Sequence, residues 1–169
     1  MFATKDLPRH YQTIFFGTLA FFVLSSFAGR ILPSTSVANG VWLVALFGII
    51  FMPMIQASFV RASAKTVAPT SRSVTVESPL DADSAFAKLS TATLDRCKIV
   101  DSDRARGVLV LSSPMRGASW GFLYPVFVRA KGTGSSIEVG ILPKAIQHVS
   151  TVAKWNESCA AEVTKALAA

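Results

Sequence analysis

The chain has 169 residues, of which 51% are hydrophobic and 16% charged, and its mean hydropathy is +0.45. An average soluble domain carries about 25% charge, so the composition excludes an ordinary water-facing globule over the whole length. The formal net charge of +7 is unevenly placed: Lys5, Arg9 and Arg30 face a single acid, Asp6, before residue 61, and Arg61, Lys65 and Arg72 face none up to residue 72. Only a dispersed remainder falls beyond Ser73, which argues against a nucleic-acid-binding face and against nucleic acid as a partner.

The first predicted elements are two apolar stretches. Residues 11–29 carry no charge, and the core of that run, TIFFGTLAFFVLSSFA from Thr13 to Ala28, approaches the length of about 20 residues that a bilayer crossing needs. Residues 31–60 are again free of charge, with Trp42, Phe47 and Phe51 among their apolar side chains. Between them Arg30, Pro33 and the Ser34-Thr35-Ser36 cluster supply a short connection. The pattern predicts an α-helical transmembrane hairpin of two spans over residues 1–61. Pro53 would kink the second span. The flanking basic residues Lys5, Arg9, Arg61, Lys65 and Arg72 are expected at the membrane interface, where they would keep both termini and the C-terminal domain cytoplasmic. The implied location is integral to a membrane of the bacterial inner-membrane type, with the lipid bilayer as a partner. A cleaved leader ending near Ser26-Phe27-Ala28 is the competing reading of the first stretch.

Residues 62–72, small, polar and basic, read as a juxtamembrane linker. From residue 73 to 169 the pattern changes to short alternating runs, the mark of half-buried strands. Val74 and Val76 predict a first strand, and Asp81 a cap for a helix with Phe86, Leu89 and Leu94 on one face. Cys97 to Val100 and Val108 to Leu111 predict a hairpin about the turn DSDRARG, which reads as solvated. Phe122 to Lys131 and Ile137 to Ile141 predict two further strands. Pro125 predicts an edge or a bulge in the first of these, and Pro143 the first turn of a long C-terminal helix. The expected fold is therefore a small α+β domain with an antiparallel sheet in the order β-α-β-β-β-β-α, packed by helices on one face. That order resembles the TBP-like and helix-grip folds, which include small lipid-binding and scaffold domains. The resemblance is one of topology and carries over no functional residue.

The stretch Pro114 to Gly121 is unusual in placing Met115, Arg116 and Trp120 in a connection. Such side chains suit a partner contact, with Met115 and Trp120 as anchors and Arg116 reaching a carboxylate or phosphate. The alternative is that Trp120 folds back to plug the sheet. Phe122 and Tyr124 would line the mouth of an apolar cavity if the sheet encloses one. Only two His, His10 and His148, are present, and neither stands in a pattern for nucleophilic catalysis. Cys97 and Cys159 form no CxxC motif or Cys/His cluster, so spacing points to neither zinc nor a disulfide framework. No metal, no cofactor and no enzymatic activity are expected. The function expected from the sequence is a membrane-anchored, non-catalytic accessory or assembly subunit that docks with other subunits of a membrane complex. The alternative is a membrane-tethered module that binds a lipid or other apolar ligand.

Overall fold

The computed structural model describes residues 60–116, 119–145 and 148–169, together with scattered positions between 16 and 58. The chain runs β1 (Ser73–Ser78), α1 (Ala82–Thr91), β2 (Lys98–Asp103), β3 (Val108–Ser112), β4 (Phe122–Lys131), β5 (Gly134–Gly140), β6 (Leu142–Pro143) and α2 (Val149–Ala168). The sheet is antiparallel in the order β1-β5-β4-β3-β2, with β6 pairing β4 beyond the end of β5.

The two-span transmembrane hairpin is corrected. Among the described residues no helix is long and apolar enough to cross a membrane. Hydropathy measures how apolar a run is, whereas a crossing also requires about 20 residues in one continuous helix. The 20-residue helix that is described, α2, is amphipathic. Lys154, Glu157 and Lys165 lie exposed on it while Val152, Cys159, Val163 and Leu167 are buried. The described positions between 16 and 58 are helical; Lys5 and Arg9, and the rest of that stretch, lie outside the described residues. The integral-membrane location, with its cytoplasmic termini, falls with the hairpin. The sheet is corrected as well, from five strands to six. Pro143 belongs to β6 and does not open a helix, and α2 begins only at Val149.

Local chemistry accounts for the elements. The Asp81 carboxylate accepts the Ser84 N–H at 3.0 Å and so caps α1. His148 caps α2, its Nδ1 accepting the Ser150 N–H. Gly107, with φ of 64°, makes the turn between β2 and β3, where a Cβ would lie 2.5 Å from the Val128 carbonyl oxygen. Pro125 sits in a central strand, opposite Val110 of β3. Its missing donor is accommodated because the ladder on the other side breaks there. β5 ends at Gly140, β6 resumes at Leu142, and the intervening Ile141 N–H donates to Thr70 Oγ1 at 3.2 Å. Between Ile99 and Asp101 the β2–β3 register shifts by one residue, a bulge that leaves Val100 52% exposed.

Both faces of the sheet are covered. On one face α1 and α2 pack against Leu109, Leu111, Phe122, Tyr124, Val126, Ile137 and Val139, all essentially inaccessible. Lys88 joins the two helices by donating to the Leu167 carbonyl at 2.9 Å. On the other face Val60, Ala64 and Val67 cover Val108, Val110, Leu123 and Phe127. This crossing is held by polar contacts from the β2–β3 hairpin. Asp101 Oδ2 accepts the Ala64 N–H at 2.8 Å and the Ser63 hydroxyl at 2.9 Å, while Arg106 donates to the carbonyls of Ala64 and Val67. The DSDRARG turn, read from sequence as solvated, thus clamps the segment that precedes the sheet.

Candidate functional site

Ala57, Ser58 and residues 60–62 lie beside the covered outer face and leave a cleft of about 450 Å³ between themselves and the strands, lined by Ala57, Ser58, Val60, Arg61, Ala62, Val100, Ser112, Leu123 and Lys144. Each wall has a distinct origin. The bulge in β2 turns Val100 outward into the cleft, the Ser112–Leu123 pair of β3 and β4 forms its floor, and Lys144 enters directly after β6.

Lys144 is held firmly. Its Nζ donates to Ser112 Oγ at 2.8 Å and to the Ser113 carbonyl at 2.9 Å, and its backbone N–H donates to the Gly121 carbonyl at 3.1 Å. Two of the three ammonium donors are thereby engaged. Arg61 Nη1 donates to the carbonyls of Ser58 at 2.7 Å and Val60 at 3.1 Å, which fixes the guanidinium at the cleft wall. Among the nine lining residues there are two cations and no acid. Partial burial lowers the Lys144 pKa from its ordinary value, and the charge on Arg61 lowers it further. An anion in the cleft would oppose the shift by pairing with the ammonium. The apolar side chains of Ala57, Val60, Val100 and Leu123 supply the remaining wall, and the volume lies in the range of small-molecule sites.

The residues singled out in the sequence fall in three places. Met115 and Arg116 stand exposed on a tight hairpin, where Arg116 and Ser119 exchange backbone hydrogen bonds at 3.0 and 3.1 Å. Trp120 is half-buried at the base of that hairpin, next to Gly121, whose φ of 85° turns the chain into β4. Phe122 and Tyr124 are fully buried in the core beneath the helices, their ring centroids 6.0 Å apart, with Trp155 of α2 5.9 Å from Phe122. The Tyr124 hydroxyl is buried with no hydrogen-bond partner among the described residues. Burial raises its pKa. Of the basic residues, Arg61 lines the cleft, Lys65 is exposed, and Arg72 lines a shallow groove with Asn156 and Glu157. Met115 and Arg116 are thus at the surface, whereas the Phe122–Tyr124 pair belongs to the core. Lys144 was missed because nothing in KAIQH marks it. Its role depends on contacts with residues more than thirty positions away.

No family model matches the chain, and no curated protein matches it. Among solved structures, one match is the crystal structure of Ara h 8.0201, with a TM-score of 0.44 and 12% identity, covering 57% of this chain and 92% of that one.

Proposed function

We propose that this chain is a non-catalytic binding module for a small amphipathic anion, a molecule with an apolar body and a carboxylate or phosphate head, held in the cleft between residues 60–62 and the outer face of the sheet. The observation that carries this reading is the convergence of Arg61 and Lys144 on a half-apolar cleft with no acid among its described lining residues. The remaining Lys144 donor and the Arg61 guanidinium would take the head group, and Val60, Val100 and Leu123 the apolar body. Charge-assisted hydrogen bonds contribute about 1.5–3 kcal/mol each. The test is calorimetric titration of the full chain with dodecanoate, dodecyl phosphate and uncharged dodecanol. One-to-one binding of the two anions is expected, with dodecanol much weaker and Lys144→Met losing roughly tenfold in affinity or more. Equal binding of dodecanol and dodecanoate, or no binding of either anion, overturns it.

A second reading, a docking domain within a larger protein assembly, is favoured by Met115, which is 45% exposed at the hairpin beside Arg116. Under this reading Met115→Asp abolishes association with the native partner and leaves the anion titration unchanged. Persistence of the association in that variant sinks it.

A further inference from the structure

Cys97 and Cys159 are separated by 62 positions, yet their sulfur atoms lie 3.9 Å apart. Both thiols are free and buried, at 4% and 2% exposure. Cys97 immediately precedes β2 and Cys159 lies midway along α2, so the pair bridges the first residues of an outer strand and the helix layer. We propose that these two residues are a dithiol–disulfide modification site, forming a reversible intramolecular disulfide that ties β2 to α2. This inference is independent of the anion cleft.

Three features of the surroundings support it. The sulfurs need to approach by about 2 Å to reach disulfide bonding distance. The connection that leads into Cys97 passes through Asp95 and Arg96, both exposed. Its polar ties to α2 are few: the Arg96 N–H donates to Glu162 at 3.2 Å, the Arg96 side chain pairs with the same carboxylate at 3.6 Å, and Asp95 pairs with Lys165 at 3.9 Å, the last of these between two exposed side chains. Exposed ion pairs are weak, so this connection opens locally more readily than the sheet. Finally, an internal bond keeps both sulfurs within their apolar cluster, whereas a glutathione adduct on either one holds the connection open. Cys97 and Cys159 pack in the same apolar cluster as Leu89, Leu111 and Val163.

The chemistry requires a disulfide as oxidant, for which oxidised glutathione serves. The Cys97 thiolate, nearer the chain segment that opens, attacks one glutathione sulfur, forming a mixed disulfide and releasing one glutathione thiolate. The Cys159 thiolate then attacks the Cys97 sulfur, forming the internal bond and releasing the second glutathione. Two protein thiols are oxidised, one glutathione disulfide is reduced, and two protons are taken up by the leaving thiolates.

The full chain is incubated with oxidised glutathione and mapped by non-reducing peptide mass spectrometry. A Cys97–Cys159 cross-linked peptide is expected as the main product, cleaved by dithiothreitol, together with a rise in the thermal midpoint of the oxidised protein. In Cys159→Ser the resolving thiol is missing, and a lasting glutathione adduct on Cys97 is expected. The proposal is overturned if wild-type protein accumulates glutathione adducts on single cysteines, or if both thiols stay free until denaturant is added. The wild-type arms decide the matter even if the variant fails to fold.

Discussion

Lys144 and Tyr124 show how differently a polar atom fares on the two faces of one sheet. Lys144 keeps two neutral acceptors and a route to solvent, so it holds its charge at a reduced pKa. An anionic ligand requires the protonated ammonium, and affinity for dodecanoate is therefore expected to fall as pH rises through the Lys144 pKa, which lies below the ordinary lysine value of 10.5. A titration series from neutral to alkaline pH checks this, with Lys144→Met showing a flatter profile. Tyr124, on the helix-covered face, has a hydroxyl sealed away from water with no hydrogen-bond partner among the described residues. Such a group costs about 1–3 kcal/mol relative to one that is satisfied. Tyr124→Phe removes it at nearly constant shape and is expected to leave stability unchanged or raise it by about 1 kcal/mol, as read by urea denaturation. A loss of more than about 1 kcal/mol would show that the hydroxyl has a partner after all.

At the scale of elements, the crossing of residues 60–67 over β3 and β4 is the feature on which the cleft depends, because Arg61 reaches its wall only when that segment is docked. Asp101 is its chief polar attachment. The Ala64 N–H, the Ser63 hydroxyl and the Ser102 N–H, in that order, hold the Asp101 carboxyl below its ordinary pKa of 3.8. A carboxylate whose pKa is depressed by folding contributes stability that is fully present above its unfolded pKa and is lost as pH falls through its folded one. The segment is therefore expected to stay docked at neutral pH and to loosen in acid below pH 3.8. Hydrogen exchange at the Ala64 amide is expected to accelerate in the same way for Asp101→Asn at neutral pH. Much at this scale was legible beforehand: Asp81 caps α1, and the strand runs lie where alternating Val and Ile place them. The covering of both faces also left a trace, since Val108 to Leu111 is an unbroken apolar run and not an alternating one. That trace is ambiguous without the partner segment, and the polar, basic character of residues 62–72 spoke against packing. Ala64 and Val67 suffice because they are small and fall over Val108 and Val110.

For the molecule as a whole, what sequence could not supply was long-range pairing. β1 joins β5 across some sixty residues, Lys144 meets Ser112, and Cys97 meets Cys159, each through closure of the sheet and not through local pattern. The apolar first third produced the opposite error, a membrane hairpin inferred from hydropathy alone. The topology also decides which strands lack a second neighbour. β1 ends in Glu77 and Ser78, with Glu77 bound to Lys131 at 2.9 Å; β2 opens with Lys98, carries Asp101 and Asp103, and is bent at Val100 by its bulge. Charged side chains and a bulge on such a strand deter another chain from extending the sheet. Lys98→Ile is accordingly expected to raise light scattering on heating, at a thermal midpoint close to that of the wild type. The irregularity that opens the cleft at Val100 therefore has a second consequence: it spoils the flat hydrogen-bonding rim along which copies of this Val- and Ile-rich protein would otherwise stack into aggregates.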